Sequence, residues 1–193
     1  ILMEAGVQYD SSRIHRQGYF YELLDNLEET PDSVRGLLRT TRCGLDMFQS
    51  AQKQLLVALR KHGHLRERVT RLMSIDAVGE ITALTWALEI DAPARFSNLK
   101  KAHSYCGLCS GRNESAGKNK RAPLSKQRNP HLQTILIEAA KLAPRHNAQL
   151  ARVHAAALER GYNRNRATCA VARKLVAYLM AVDKSGRDYE DRS

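Results

Sequence analysis

The chain has 193 residues, with 31 Lys or Arg against 20 Asp or Glu, for a formal net charge of +11. With 43% apolar residues, 11 Gly and 5 Pro, the composition excludes a disordered tail and a collagen-like or low-complexity chain. No apolar run approaches the roughly 20 residues that span a bilayer, so a membrane protein is excluded. Four Cys in a chain of this length do not form a secreted disulfide framework. A reduced cytoplasm is the expected setting, and the charge favours a polyanionic partner, nucleic acid first. The sequence begins at Ile1, in what reads as the middle of an element, which predicts a fragment.

Helix signals dominate in chain order. Thr30, Pro31 and Asp32 read as a cap, a proline at the first helical position and an acidic first turn. Val34, Leu38, Thr41, Leu45, Phe48, Gln52, Leu55 and Leu59 then follow alternating spacings of 4 and 3, a heptad seam. Such a seam fits a helix packed on its own domain or a coiled-coil arm pairing with a second chain. Gly63 is expected to end the arm.

Residues 64–73 predict a second helix, Ser74–Gly79 a tight turn, and 80–90 a third helix stopped at Asp91-Ala92-Pro93. Ser97 is expected to cap a short helix running to Cys106, with Gly107 as its stop. From Gly107 to Arg128 no period emerges, which predicts a long loop or a short irregular pair of strands. Asn129 and Pro130 open a helix with an apolar stripe of Leu132, Ile135, Leu136, Ala139 and Ala143, ended by Pro144. Helices at 147–159 and 166–182 complete the series, and the charged tail 184–193 is expected to fray. These elements predict an all-α protein with a helical linker and coiled-coil arm over 1–63, a C-terminal domain over 64–183 and the tail.

Three segments carry candidate chemistry. Ile75-Asp76-Ala77-Val78-Gly79 followed by a helix resembles a helix-hairpin-helix, whose turn amides face a DNA phosphate. The common form reads Ile-Pro-Gly-Val-Gly. Here Asp76 brings a repulsive charge and Ala77 lacks the freedom of glycine, so Gly79 is either a phosphate contact or part of a purely structural hairpin. The segment 111–129 carries Arg112, Lys118, Lys120, Arg121, Lys126 and Arg128 against Glu114 alone. These are candidate DNA contacts. Ser115, and after it Ser125, is a candidate nucleophile whose attack on a phosphodiester the cations would support. Cys106-Gly107-Leu108-Cys109 with His103 is a metal half-site or a redox pair in form. Without a second such pair, packed thiols are the simpler reading, and no metal site is expected. The carboxylates lie mostly on helix faces rather than strand ends, which argues against a self-contained two-metal nuclease.

Read in order, the turn, Ala83–Ile90, Arg95-Phe96, Ser104–Leu108, Glu114-Ser115-Ala116, Leu124–Asn129, Glu138–Pro144 and Ala170–Leu179 resemble the C-terminal half of bacterial insertion-sequence transposases of the "IS one-ten" type. The resemblance implies a serine nucleophile after the Tyr-x-Gly-Leu segment, at Ser115, which forms a phosphoserine intermediate with DNA. It implies a RuvC-like domain, lying before Ile1, whose acidic quartet and Mg²⁺ complete a composite site shared between protomers. No cofactor is expected in the chain itself. The expected partners are DNA, a structured guide (bridge) RNA, and a second copy of the chain through the coiled-coil arm. The expected function is DNA transposition, with the chain inactive by itself. The alternative from the residues alone is a non-catalytic helix-hairpin-helix module holding nucleic acid by its backbone, or a structural dimerisation protein.

Overall fold

The computed structural model describes residues 2–4, 6–27, 30–115, 118–124 and 128–191, with the backbone alone for 111–115 and 118–123. Eight α-helices and one two-stranded hairpin make up the described residues. They divide into two compact units, Ile1–Ala58 and Leu59–Ser193.

The first unit holds α1 (Gln17–Asp25) and most of α2 (Asp32–Arg60). Phe20, Leu24, Leu27 and Leu38 form its small core, with Val7, Ile14 and Val34 packed on the edge. Arg42 is buried on α2. Its guanidinium donates to the His15 carbonyl at 3.0 Å, pairs with Asp46 at 2.9 Å, and lies over the Phe20 ring. The segment before α1 is thereby tied to α2. The heptad seam splits in two. Val34 and Leu38 join this core, whereas Leu45, Phe48 and Leu55 stand 39%, 70% and 60% exposed.

The second unit begins with α3 (Gly63–Met73) and α4 (Glu80–Ile90). Gly63 does not end the arm; it is the first residue of α3. The break falls at Lys61-His62, where the His62 amide bonds the Leu59 carbonyl. Gly63 is not among the glycines with positive φ, so it lacks the left-handed conformation of a helix stop. The short helix α5 (Leu99–Tyr105) is capped by Asn98 rather than Ser97, the Asn98 side chain accepting from the Lys101 amide.

Next come strands β1 (Ser110–Ser115) and β2 (Lys118–Leu124), antiparallel, with a register irregularity between Ser110 and Arg112. Of the two expectations for this basic segment, a long loop or an irregular strand pair, the second holds. Helices α6 (Pro130–Leu142), α7 (Ala148–Glu159) and α8 (Arg164–Ser185) follow, each opened by an asparagine whose side chain accepts an amide of the first turn.

Helix α8 is the axis of this unit. Its stripe Val171, Leu175, Tyr178, Leu179 and Val182 is buried, and α3, α5, α6 and α7 all pack on it. Leu72, Ile75, Trp86, Ile90, Leu132 and Leu136 fill the space around it at 0% exposure. Each such side chain contributes about 1.5–3 kcal/mol of burial. One polar knot lies within the apolar packing. Arg68 of α3 forms a two-pronged bond with Asp183 of α8, both contacts at 2.7 Å, and donates to the Ala87 carbonyl at 3.1 Å. The Trp86 indole N–H of α4 reaches the same carboxylate at 2.9 Å.

The tail does not fray over its described residues. After Gly186 takes φ +65 and ends α8, Tyr189 stacks on Tyr178 with ring centroids 5.0 Å apart, and its amide donates to Ser74 Oγ at 2.7 Å. This burial, with Tyr189 nearby, pushes the Tyr178 hydroxyl above its ordinary value.

Candidate nucleic-acid interface

The basic hairpin stands on a fixed root. The chain leaves α5 at Cys106 and turns through Gly107 at φ +68. On the return side, the Asn129 amide bonds the Tyr105 carbonyl at 2.9 Å. Gln133, buried on α6, donates its side-chain amide to the Gly107 carbonyl at 2.7 Å. The stem of Arg128 lies over Gly107 so closely that a Cβ there would meet Arg128 Cδ at 2.5 Å and Cβ at 2.7 Å. Gly107 is thus required twice, by its backbone angle and by the side chain crossing it. Asn129 also caps α6 and donates to the Glu89 carboxylate of α4 at 2.5 Å. Both ends of the hairpin are held by three helices.

The register sets which hairpin residues face one another. Arg112 lies opposite Arg121, Asn113 opposite Lys120, Glu114 opposite Asn119, and Ser115 opposite Lys118. Ser125 and Lys126 lie outside the described residues. Arg128 is half-buried at the root.

The expected phosphate clamp has a different character. Residues 75–78 form a turn closed by the Val78 amide on the Ile75 carbonyl at 2.9 Å, with Ala77 at φ +83. A positive φ at the third residue is the type II pattern, in which glycine is the comfortable occupant. The turn between α3 and α4 is thus made at the expense of strain at Ala77. Gly79 is exposed, with open space where a Cβ would be, and leads into α4. Asp76 and Glu138, however, line the groove beside it together with His146. Two carboxylates there repel a phosphate. Gly79 and the basic hairpin belong to different segments of the fold, and the groove beside Gly79 is the one lined by carboxylates.

Sequence reading missed a cationic corner beside the root. Arg95 lies over both the Phe96 and Tyr105 rings, 4.8 and 4.6 Å from their centroids. The one hint was Arg95-Phe96 followed by Tyr105. The Cys106/Cys109 pair has no metal-site character. Burial pushes the Cys106 thiol up to about 12, and Nε2 of half-buried His103 lies 3.0 Å from the Arg173 carbonyl. Burial holds this imidazole below its ordinary value. Among the described residues no group of three or more His, Cys, Asp or Glu is placed to hold a metal ion. No described helix is long and apolar enough to cross a membrane.

Residues 69–155 match the transposase IS116/IS110/IS902 family. The match spans α3 from Val69, the strained turn, α4, α5, the whole hairpin, α6 and most of α7. This stretch is similar to a region of insertion-sequence transposases. No curated protein matches the chain.

Proposed function

We propose that the chain is the DNA-handling, serine-bearing part of an insertion-sequence transposase, with Ser115 as nucleophile. The observation that carries this reading is the position of Ser115: opposite Lys118, at the closed end of a cation-rich hairpin, inside the stretch similar to the transposase family. The chemistry is a transesterification. The Ser115 hydroxyl oxygen forms a new bond to phosphorus and gives up its proton. The bond from phosphorus to a sugar oxygen breaks, and that oxygen leaves as a hydroxyl. One phosphodiester is exchanged for another, so the reverse attack by a sugar hydroxyl rejoins DNA without an energy source. Lys118, the register partner of Ser115, and Lys120 two residues on are cations of the kind that stabilise the charge developing on the phosphoryl oxygens. The acidic site and its magnesium belong, on this reading, to a RuvC-like domain, and a structured guide RNA selects the target.

The exposed Leu45, Phe48 and Leu55 on α2 support pairing of the arm with a second copy. Leu45→Asp and Leu55→Asp should then dissociate a dimer, as read by sedimentation, and leave the second unit folded. The alternative of a binding module using the helix-hairpin-helix turn is less well supported, because Asp76 and Glu138 flank Gly79.

The test has two stages. Neutralising about six phosphates predicts a log–log salt slope near −5 for the 193-residue chain on duplex DNA, at about −0.9 per phosphate. A slope near zero removes DNA binding from the reading. In a protein that joins the chain to a RuvC-like domain, with guide RNA and magnesium, Ser115→Ala should abolish the covalent protein–DNA adduct and Ser125→Ala should leave it. An adduct that survives Ser115→Ala overturns the assignment.

A further inference from the structure

We infer that the corner between α5 and the hairpin root is a binding pocket for a backbone phosphate of duplex DNA, separate from the hairpin's own cations. The inference rests on the DNA-binding reading above and extends it to residues outside the hairpin. The corner is a concavity of about 690 Å³ lined by Arg95, Phe96, Lys101, Ser104, Tyr105 and Arg128. Three cations line it and no carboxylate does. The nearest acid, Glu89, offers only its backbone carbonyl, to Arg95 at 3.4 Å and to the Tyr105 hydroxyl at 3.3 Å. Its carboxylate is engaged by Asn129 on the hairpin's return. Like charges gathered at one opening gain from an anion that enters it.

The cations are also pre-positioned to different degrees. The Arg95 guanidinium carbon lies 4.8 and 4.6 Å from the centroids of the Phe96 and Tyr105 rings, so two aromatic contacts hold it. One terminal nitrogen donates to the Glu89 carbonyl at 3.4 Å, and the other N–H groups of a guanidinium can still donate to a phosphate oxygen. The Arg128 stem is fixed over Gly107. Lys101 is exposed and belongs to no ion pair among the described residues, so it serves as a point charge at the rim. The Ser104 hydroxyl adds a neutral donor at the same opening.

Position gives the pocket a purpose. Five residue steps separate Ser110 from Ser115 along β1, about 17 Å at roughly 3.3 Å per step. A duplex rises about 3.4 Å per base pair. For a duplex laid along β1, a phosphate at the root would lie about five base-pair steps from the strand end that carries Ser115. The pocket sets the register of the duplex against the hairpin without reading a base.

The test uses a 20-base-pair duplex and the whole chain, with binding measured across salt concentrations. Arg95→Ala and Lys101→Gln should each make the slope shallower by about 1, and the double variant by about 2. Lys101 is exposed, so Lys101→Gln keeps the fold and the experiment decides even where Arg95→Ala loosens the Phe96–Tyr105 packing. Lys141→Gln, whose ammonium is paired with Glu138 on the surface of α6, should leave the slope unchanged. A parent slope near zero sinks the DNA-binding reading itself. A normal parent slope that Lys101→Gln and the double variant leave untouched overturns the pocket alone. So does a loss with Lys141→Gln as large as with Lys101→Gln, which would mark diffuse charge, or a loss seen on duplex RNA and not on DNA.

Discussion

Replacing Asp183 should destabilise the second unit more than any surface change in it. The carboxylate is 3% exposed and accepts three bonds: two from Arg68 at 2.7 Å and one from the Trp86 indole at 2.9 Å. In Asp183→Ala the indole N–H is left unsatisfied at a residue with 0% exposure, which costs about 1–3 kcal/mol. Removing one partner of a buried ion pair costs about 3–5 kcal/mol. The Arg68 side chain is 21% exposed, so water recovers part of its solvation and the lower end of that range applies. The expected loss is about 4 kcal/mol. Asp183→Asn keeps an oxygen for the indole and should lose about 2 kcal/mol, the indole's share being retained. At about 3 °C per kcal/mol for a unit of this size, Asp183→Ala lowers the melting temperature by roughly 12 °C. The chain has one tryptophan, Trp86, and it sits in this knot, so its fluorescence during urea or thermal unfolding reports the second unit alone. Arg68→Met combined with Asp183→Leu should recover stability relative to Asp183→Ala, because no unpaired charge remains. The reasoning is falsified if Asp183→Ala costs less than about 1 kcal/mol, the size of an ordinary exposed pair.

Three further outcomes follow from single residues. Gly107→Ala should destabilise by about 2 kcal/mol or more, since it combines a left-handed backbone angle with overlap on the Arg128 stem; hydrogen exchange should show lost protection over 110–124, and unchanged protection there would refute the root's role. Ala77→Gly should stabilise by about 0.5–1 kcal/mol, the relief of a positive φ less the added freedom of the unfolded chain, and a lower denaturation midpoint would contradict the strain. Burial lowers the folded His103 below its ordinary value near 6.5, so between those two values the unfolded chain binds the extra proton. Its contribution is therefore full above about pH 6.5 and declines as the pH falls toward the folded value. His103→Gln should flatten that acid limb, and identical pH profiles for both proteins would exclude the effect.

The parts legible in the sequence are those governed by local signals. Helix α4 has the expected bounds, 80 to 90, because a turn precedes it and Asp91-Ala92-Pro93 stops it. Helix α6 opens at Pro130 because the Asn129 side chain and a proline at the first position agree. Neighbouring candidates of equal propensity were harder: Asn98 rather than Ser97 caps α5, and only the tertiary path decides between them. The hairpin gave no alternating signal because its strand sequences, SGRNES and KNKRAPL, carry no alternating apolar residues. Helix α1 went unread, and its role depends on Phe20 and Leu24 meeting Leu38 from the next helix. The Arg68–Asp183 pair is 115 residues apart in sequence, beyond any local pattern, and the same holds for Tyr189 returning to Ser74. The serine and the cations of the candidate site were visible as composition, whereas the pairing of Ser115 with Lys118 and the stacking of Arg95 needed three dimensions.

The root of the hairpin also acts as a hinge post for a lever. Its strand end is about 17 Å from Ser110, while a reacting group must be held within about 0.5 Å. Dividing one by the other, the ribbon's direction must be fixed to within about 2°, a tolerance set by a few contacts at Gly107, Asn129 and Gln133. A side chain on α8 inherits its aim from a packed helix on every side. A residue at the far end of a ribbon inherits it from one end only, and any angular slack at the post is multiplied along the arm. A duplex seated along the arm would supply the second bearing point that turns a cantilever into a supported beam. Alignment at the strand end would then be a property of the complex, and changes at the post should blur the position of attack along DNA before they weaken binding.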